Sequence, residues 1–273
     1  MGPRAWGFAA TAAAVAVSAI MLIAGVSAGG VRLQTTSPGT ASQLGTASGD
    51  PVVLTNWGGY GVEGAGVSYQ IPAMEGSWMQ PTVSCPTTFA SEAIGAGLNA
   101  PPGAFGGKID GVGTAVLCVF GQPVYLAWAE KGAVGIPLTG VTVHPGDVFQ
   151  ANVTTSFWRL TDVTTGASAG GTWTLSPATR EAVCVVMRTN TGLGWPSLFS
   201  PLPPSNTVIF GSLFTSQPGC WFFDPSAGSF AGIGSPQAGY VQYTFDLNNP
   251  PGPAIVPFVL INGMLPLDSF MVP

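Results

Sequence analysis

One histidine and four cysteines bound the chemistry open to this chain, which carries only 7 Lys and Arg and 12 Asp and Glu among its 273 residues. Nucleophilic catalysis of the Ser-His or Cys-His kind needs an imidazole as general base, so it would have to use His144. His144 stands in VTVHPGD, directly before a Pro-Gly turn, and reads as a turn residue rather than a base. Cys85, Cys118, Cys184 and Cys220 contain no C-x-x-C pair, and with one histidine the ligand set of a zinc site is missing. No metal or other cofactor is expected. An even cysteine count fits two disulfides in an oxidising compartment, and spacing alone leaves three pairings open.

The elements that would position such residues are strands. Gly (39) and Pro (25) are abundant, charged residues make up 7% and hydrophobic residues 46%. That much apolar content with so little charge is not the disorder signature; it suits short strands joined by Gly/Pro turns. VTVHPGDVFQANVTT alternates on both sides of its turn and reads as a hairpin, with Phe149, Ala151 and Val153 on one face and Val148, Gln150 and Asn152 on the other. WRLTDVTTGAS, GTWTLS and YVQYTFDL read as further strands. EAVCVVMRT is a continuous apolar run, the pattern of a strand buried on both faces. The expected class is all-β, a sandwich of two antiparallel sheets. The formal net charge of −5 excludes a nucleic-acid footprint.

The N-terminus combines Arg4, an apolar run from Ala9 to Val26 and the small-residue site Val26-Ser27-Ala28. These are the three parts of a secretory signal, so residues 1–28 read as a signal peptide or N-terminal anchor. The run exceeds the roughly 7 to 15 residues a signal core needs and approaches a membrane span, so cleavage and membrane attachment through residues 5–26 both stay open. Residues 29–51, rich in Gly, Ser and Thr, read as a flexible linker, and residues 52–273 as the folded domain. The domain is expected outside the cytoplasm, secreted or held at the cell envelope.

Within that domain the order TNWGGYGV (55–62), GSWMQPTVSC (76–85), GAGLNA (95–100), IDGVGTAVLC (109–118), PVYLAWAE (123–130), VTVHPGD (141–147) and AVCVVMR (182–188) resembles the eqolisin family of glutamic peptidases. The resemblance spans residues 55–188. It implies a concanavalin-like jelly roll of two bent antiparallel sheets with a substrate groove across one concave face, and acid proteolysis by a glutamine and a glutamate in that groove; the chain itself is expected to be a monomer. A carboxylate can take a proton from the attacking water while a side-chain amide donates to the developing oxyanion.

Transferred residue by residue, the family's glutamine falls on Gly111 and its glutamate on Met187, so neither half of the pair is present. The groove-lining positions fall on Gly95, Asn99, Trp128 and Glu130; the first two stand where the family has tryptophan and aspartate. Asp110, next to Gly111, is expected on the opposite strand face, and Glu181, six residues before Met187, too far along its strand to substitute. Asp110-Gly111 also resembles part of the D-[ST]-G signature of aspartic peptidases, but its second residue is wrong and no second copy exists. The resemblance implies a Cys85–Cys118 bridge, which leaves Cys184 with Cys220.

The expected function is an exported, catalytically inactive eqolisin-like protein that binds a peptide, glycan or protein partner in the groove. The alternatives are an acid endopeptidase with displaced catalytic residues, and a structural or adhesive envelope protein presenting a loop at 189–205 that contains Trp195, Leu198 and Phe199.

Overall fold

A computed structural model describes residues 52–270, apart from residues 56, 67, 87–89, 100–108, 133, 177–178, 188–207, 212–218, 234–237, 248–257 and 263–264. The export segment, the linker and the 189–205 loop lie outside the described residues. The described chain is all-β and forms two sheets.

The first sheet has eight strands in the order β1 (Val52–Thr55), β15 (Tyr240–Leu247), β2 (Trp57–Gly64), β11 (Glu181–Met187), β4 (Ala90–Asn99), β5 (Asp110–Val119), β6 (Gln122–Lys131) and β7 (Val134–Pro137). The second runs β10 (Ser168–Thr172), β9 (Phe157–Asp162), β8 (Val148–Thr154), β3 (Ala73–Met79), β12 (Val208–Phe210), β17 (Leu265–Phe270) and β16 (Phe258–Asn262). To it β13 (Cys220–Asp224) adds on β3, and β14 (Ser229–Gly232) on β13. All pairings are antiparallel except β1 on β15, which is parallel at the sheet edge.

Strand alternation builds the core. Ile94, Ala96 and Leu98 of β4 and Ala182, Cys184 and Val186 of β11 point inward, and meet Trp78, Phe149 and Phe210 from the second sheet. The apolar run of β11 is buried at every position because its strand lies mid-sheet with covered faces on both sides. In β8, Phe149, Ala151 and Val153 are fully buried on one face, as the alternation requires, and Val148 at the strand's start is buried as well.

The hairpin expected around Pro145-Gly146 is not formed: 141–144 is not a strand, and β8 pairs with β3 and β9 instead. The turn is held differently. The Gly146 N–H donates to the Gln80 carbonyl, the Gln80 N–H to the Asp147 carbonyl, and the Asp147 carboxylate accepts the His144 N–H at 2.8 Å. Alternation before a turn shows that a segment is extended, but not which strand it will pair with.

A polar link between Trp78 and Thr114 crosses the core. The buried Trp78 donates its indole N–H to the Thr114 hydroxyl of β5 at 2.8 Å. Thr114→Val keeps the shape but leaves that N–H without an acceptor, so it is expected to cost about 1–3 kcal/mol. Urea denaturation of the variant against wild type checks this; an unchanged midpoint would show that the bond contributes nothing.

Candidate functional site

Register across the first sheet assembles its outward face row by row. Val183, Gly97, Gly111 and Glu130 form one row from β11 to β6. Val185, Gly95, Gly113 and Trp128 form the next, and Met187, Ala93, Ala115 and Leu126 the one after. Asn99 lies opposite Glu181, which in turn lies opposite Glu63 of β2.

Gly111, Met187, Gly95, Asn99, Trp128 and Glu130 therefore all take outward-facing register positions. Gly111 and Met187 are not neighbours, however. Their rows lie four residues apart, roughly 13 Å along the strands. The outward β11 positions are Glu181, Val183, Val185 and Met187, so whichever of the last three is set against Gly111, the side chain is apolar. Among the described side chains the amide on this face is Gln122, at the far end of β6, outside the row of Gly111.

The space over the glycines is filled from within the chain. A Cβ on Gly111 would lie 2.5 Å from the Ala96 carbonyl oxygen, 2.8 Å from Gly97 Cα and 3.0 Å from the Ile109 side chain. The Trp128 ring lies over Gly95 and Gly113, where a Cβ would meet it at 2.7 Å and 2.5 Å respectively. Its indole N–H donates to the Thr114 carbonyl at 3.1 Å, which fixes the ring against the sheet. The β4 backbone and Ile109 thus take the volume that a side chain at Gly111 would need, and Trp128 that at Gly95. Met187 is buried to 9% exposure, and Ala93, Ala115 and Trp128 are buried with it.

Two carboxyl groups on this face are strongly perturbed. Glu130, opposite Gly111 and 7% exposed, has its pKa raised to about 7. Burial is the main cause and the nearby Asp110 charge adds to it, while the Ile109 backbone N–H, donating to the carboxylate, opposes both. Glu181 is pushed well above the usual carboxylate range by burial and by Glu63 beside it. Among the described residues neither of its buried carboxyl oxygens has a hydrogen-bond partner.

Asp110 pairs with Leu98, a core position, and so sits on the face opposite to Gly111; its carboxylate accepts the Gly132 N–H at 2.7 Å. His144 is exposed in its turn and takes no place in these rows. Disulfides join Cys85 to Cys118 and Cys184 to Cys220. Among the described residues no three His, Cys, Asp or Glu side chains gather as a metal site would need. Ile109 and Glu63 escaped sequence reasoning, because what each covers or opposes is set by pairings between strands distant in the chain.

Two packed, almost wholly antiparallel sheets define the class: this chain has an eqolisin-like, glutamic-peptidase fold. It is similar to scytalido-glutamic peptidase solved with a transition-state analogue inhibitor, at 17% identity over 80% of this chain and 98% of that one, with a TM-score of 0.58. A second structure of scytalido-glutamic peptidase, with a peptide-based transition-state analogue, matches at 17% identity over the same shares with a TM-score of 0.53. At that identity the likeness is one of fold. No protein-family model and no curated protein matches the chain.

Proposed function

We propose that this chain is an exported, non-hydrolytic binding protein built on the glutamic-peptidase sandwich. One observation carries the reading: the row of Gly111 offers neither an amide nor a carboxylate from β11, and a side chain at Gly111 would meet the Ala96–Gly97 backbone and Ile109. Loss of an oxyanion donor typically removes about 10²- to 10³-fold in rate, and loss of the general base about 10²- to 10⁴-fold. Without both, the mechanism has neither proton transfer nor charge stabilisation. The two disulfides support an oxidising, extracytoplasmic setting. A peptide, glycan or protein partner in the groove would lie over Trp128 and Ile109, because the floor beneath them is closed.

A second reading, an acid peptidase with a displaced carboxylate, is favoured by Glu130 alone. It stands directly opposite Gly111 and titrates near neutrality, as a general acid or base would. Casein hydrolysis by the purified protein, followed from about pH 2 to about pH 8, separates the two readings. No cleavage above the protein-free control is expected at any pH. Cleavage that disappears in Glu130→Gln or Glu181→Gln would overturn the non-hydrolytic reading and identify the displaced group.

A further inference from the structure

Away from the groove, a cavity of about 330 Å³ opens between the two sheets, lined by Ala129, Glu130 and Lys131 of β6, Val134 and Ile136 of β7, Trp158 of β9, Thr172 of β10 and the adjoining Trp173. β7 and β10 are the last strands of their sheets, so the mouth lies at the open side of the sandwich. The volume is at the lower end of small-molecule sites and suits one ring or one bulky side chain.

The walls are apolar and aromatic. Trp158 and Trp173 have ring centroids 6.2 Å apart with planes tilted by 46°, so two indoles border one space. The Trp173 indole N–H is already bonded to the Thr154 carbonyl at 2.7 Å, which leaves that residue its ring to offer. Val134 is 62% and Ile136 49% exposed, high values for aliphatic side chains on a strand.

Lys131 is the cation among the lining residues. It is exposed and makes no ion pair among the described residues. Glu130 is the other charged lining residue, but its carboxyl belongs to the outward row with Gly111 and receives the Ile109 N–H. Ala129 and Lys131 take the alternate, inward positions of β6. A ligand therefore meets an aromatic wall beside the Lys131 ammonium and the Thr172 hydroxyl, while the Asp110 carboxylate, next to Lys131 on the same face, is held by the Gly132 N–H.

We propose that this pocket binds a carboxylate carried on an aromatic or bulky aliphatic group, the apolar part between Trp158, Trp173 and Ile136 and the carboxylate on Lys131. The carboxylate can belong to a free acid or to the C-terminus of a peptide ending in such a residue. The inference deepens the binding-protein reading and rests on it, but a ligand titration and the casein assay fail independently.

The test is calorimetric titration of the purified protein with 3-phenylpropionate, 3-phenylpropanol and 3-phenylpropylamine, three probes with one ring and different heads. The acid is expected to bind with a Kd of about 1 mM or tighter, the alcohol about 10-fold more weakly, and the amine not measurably. Lys131→Met should weaken the acid about 10-fold and leave the alcohol unchanged. Ile136→Trp, at a half-exposed edge position that leaves the core intact, should fill the pocket and remove both. A pentapeptide ending in Phe that binds more tightly than 3-phenylpropionate, and loses this on C-terminal amidation, would assign the site to peptide C-termini; equal affinity would assign it to free acids. The proposal is overturned if acid and amine bind equally, if Lys131→Met leaves the acid unaffected, or if none of the probes binds.

Discussion

Replacing Cys184 and Cys220 by alanine is expected to remove about 4 kcal/mol of stability. The bridge closes a segment with a sequence separation of 36, and the chain-entropy relation for a loop of that size gives about 4 kcal/mol. It also joins β11 of one sheet to β13 of the other, with both residues fully buried, so the alanine pair leaves a void between the sheets. The Cys85–Cys118 bridge, with a separation of 33, carries nearly the same loop entropy but ends at the partly exposed Cys85. Its removal should therefore cost less. Guanidinium denaturation of the two double variants beside wild type decides this; equal losses would show that loop entropy, not inter-sheet packing, sets the contribution.

Raising the pH from about 4.5 to above 7 is expected to cost about 3 kcal/mol through Glu130 alone, a shift from 4.5 to about 7 converted at 1.36 kcal/mol per unit. The sign follows from linkage. The folded state holds the proton more tightly than the unfolded chain, so the stabilisation is full below the unfolded pKa near 4.5 and is lost as pH rises through 7. Glu181, raised by burial and by Glu63, acts in the same direction. The protein should thus be more stable in mildly acidic than in neutral solution. Thermal melts across this range check the slope, and Glu130→Gln should reduce it and raise the melting temperature at neutral pH. A wild-type melting temperature that is flat or rises over the same interval would refute the assignment.

Much of the architecture is legible in short segments. The alternation of 148–154 and the apolar run of 181–187 specify strands and buried faces without any knowledge of their neighbours, because side chains on a strand alternate whatever lies beside it. Residue type is legible for a simpler reason: glycine at 111 and methionine at 187 lack an amide and a carboxyl in any fold. The Pro145-Gly146 turn misled for the opposite reason. Its flanking segments are extended, but the partner of β8 is β3, some seventy residues upstream, and local alternation does not encode that choice.

By itself, then, the sequence determined the all-β class and the absence of a glutamine–glutamate pair at Gly111 and Met187. It also set an even cysteine count suited to disulfides. Only the tertiary structure decided that Glu130 stands opposite Gly111 and that Trp128 and Ile109 close the glycine rows. The neutral-range titration of a surface-type residue, and the aromatic pocket between β7 and β10, were likewise its decision. The physical reason is that residue type and period are local properties. Register, burial and the charge environment of a carboxyl arise from pairings between strands far apart in the chain.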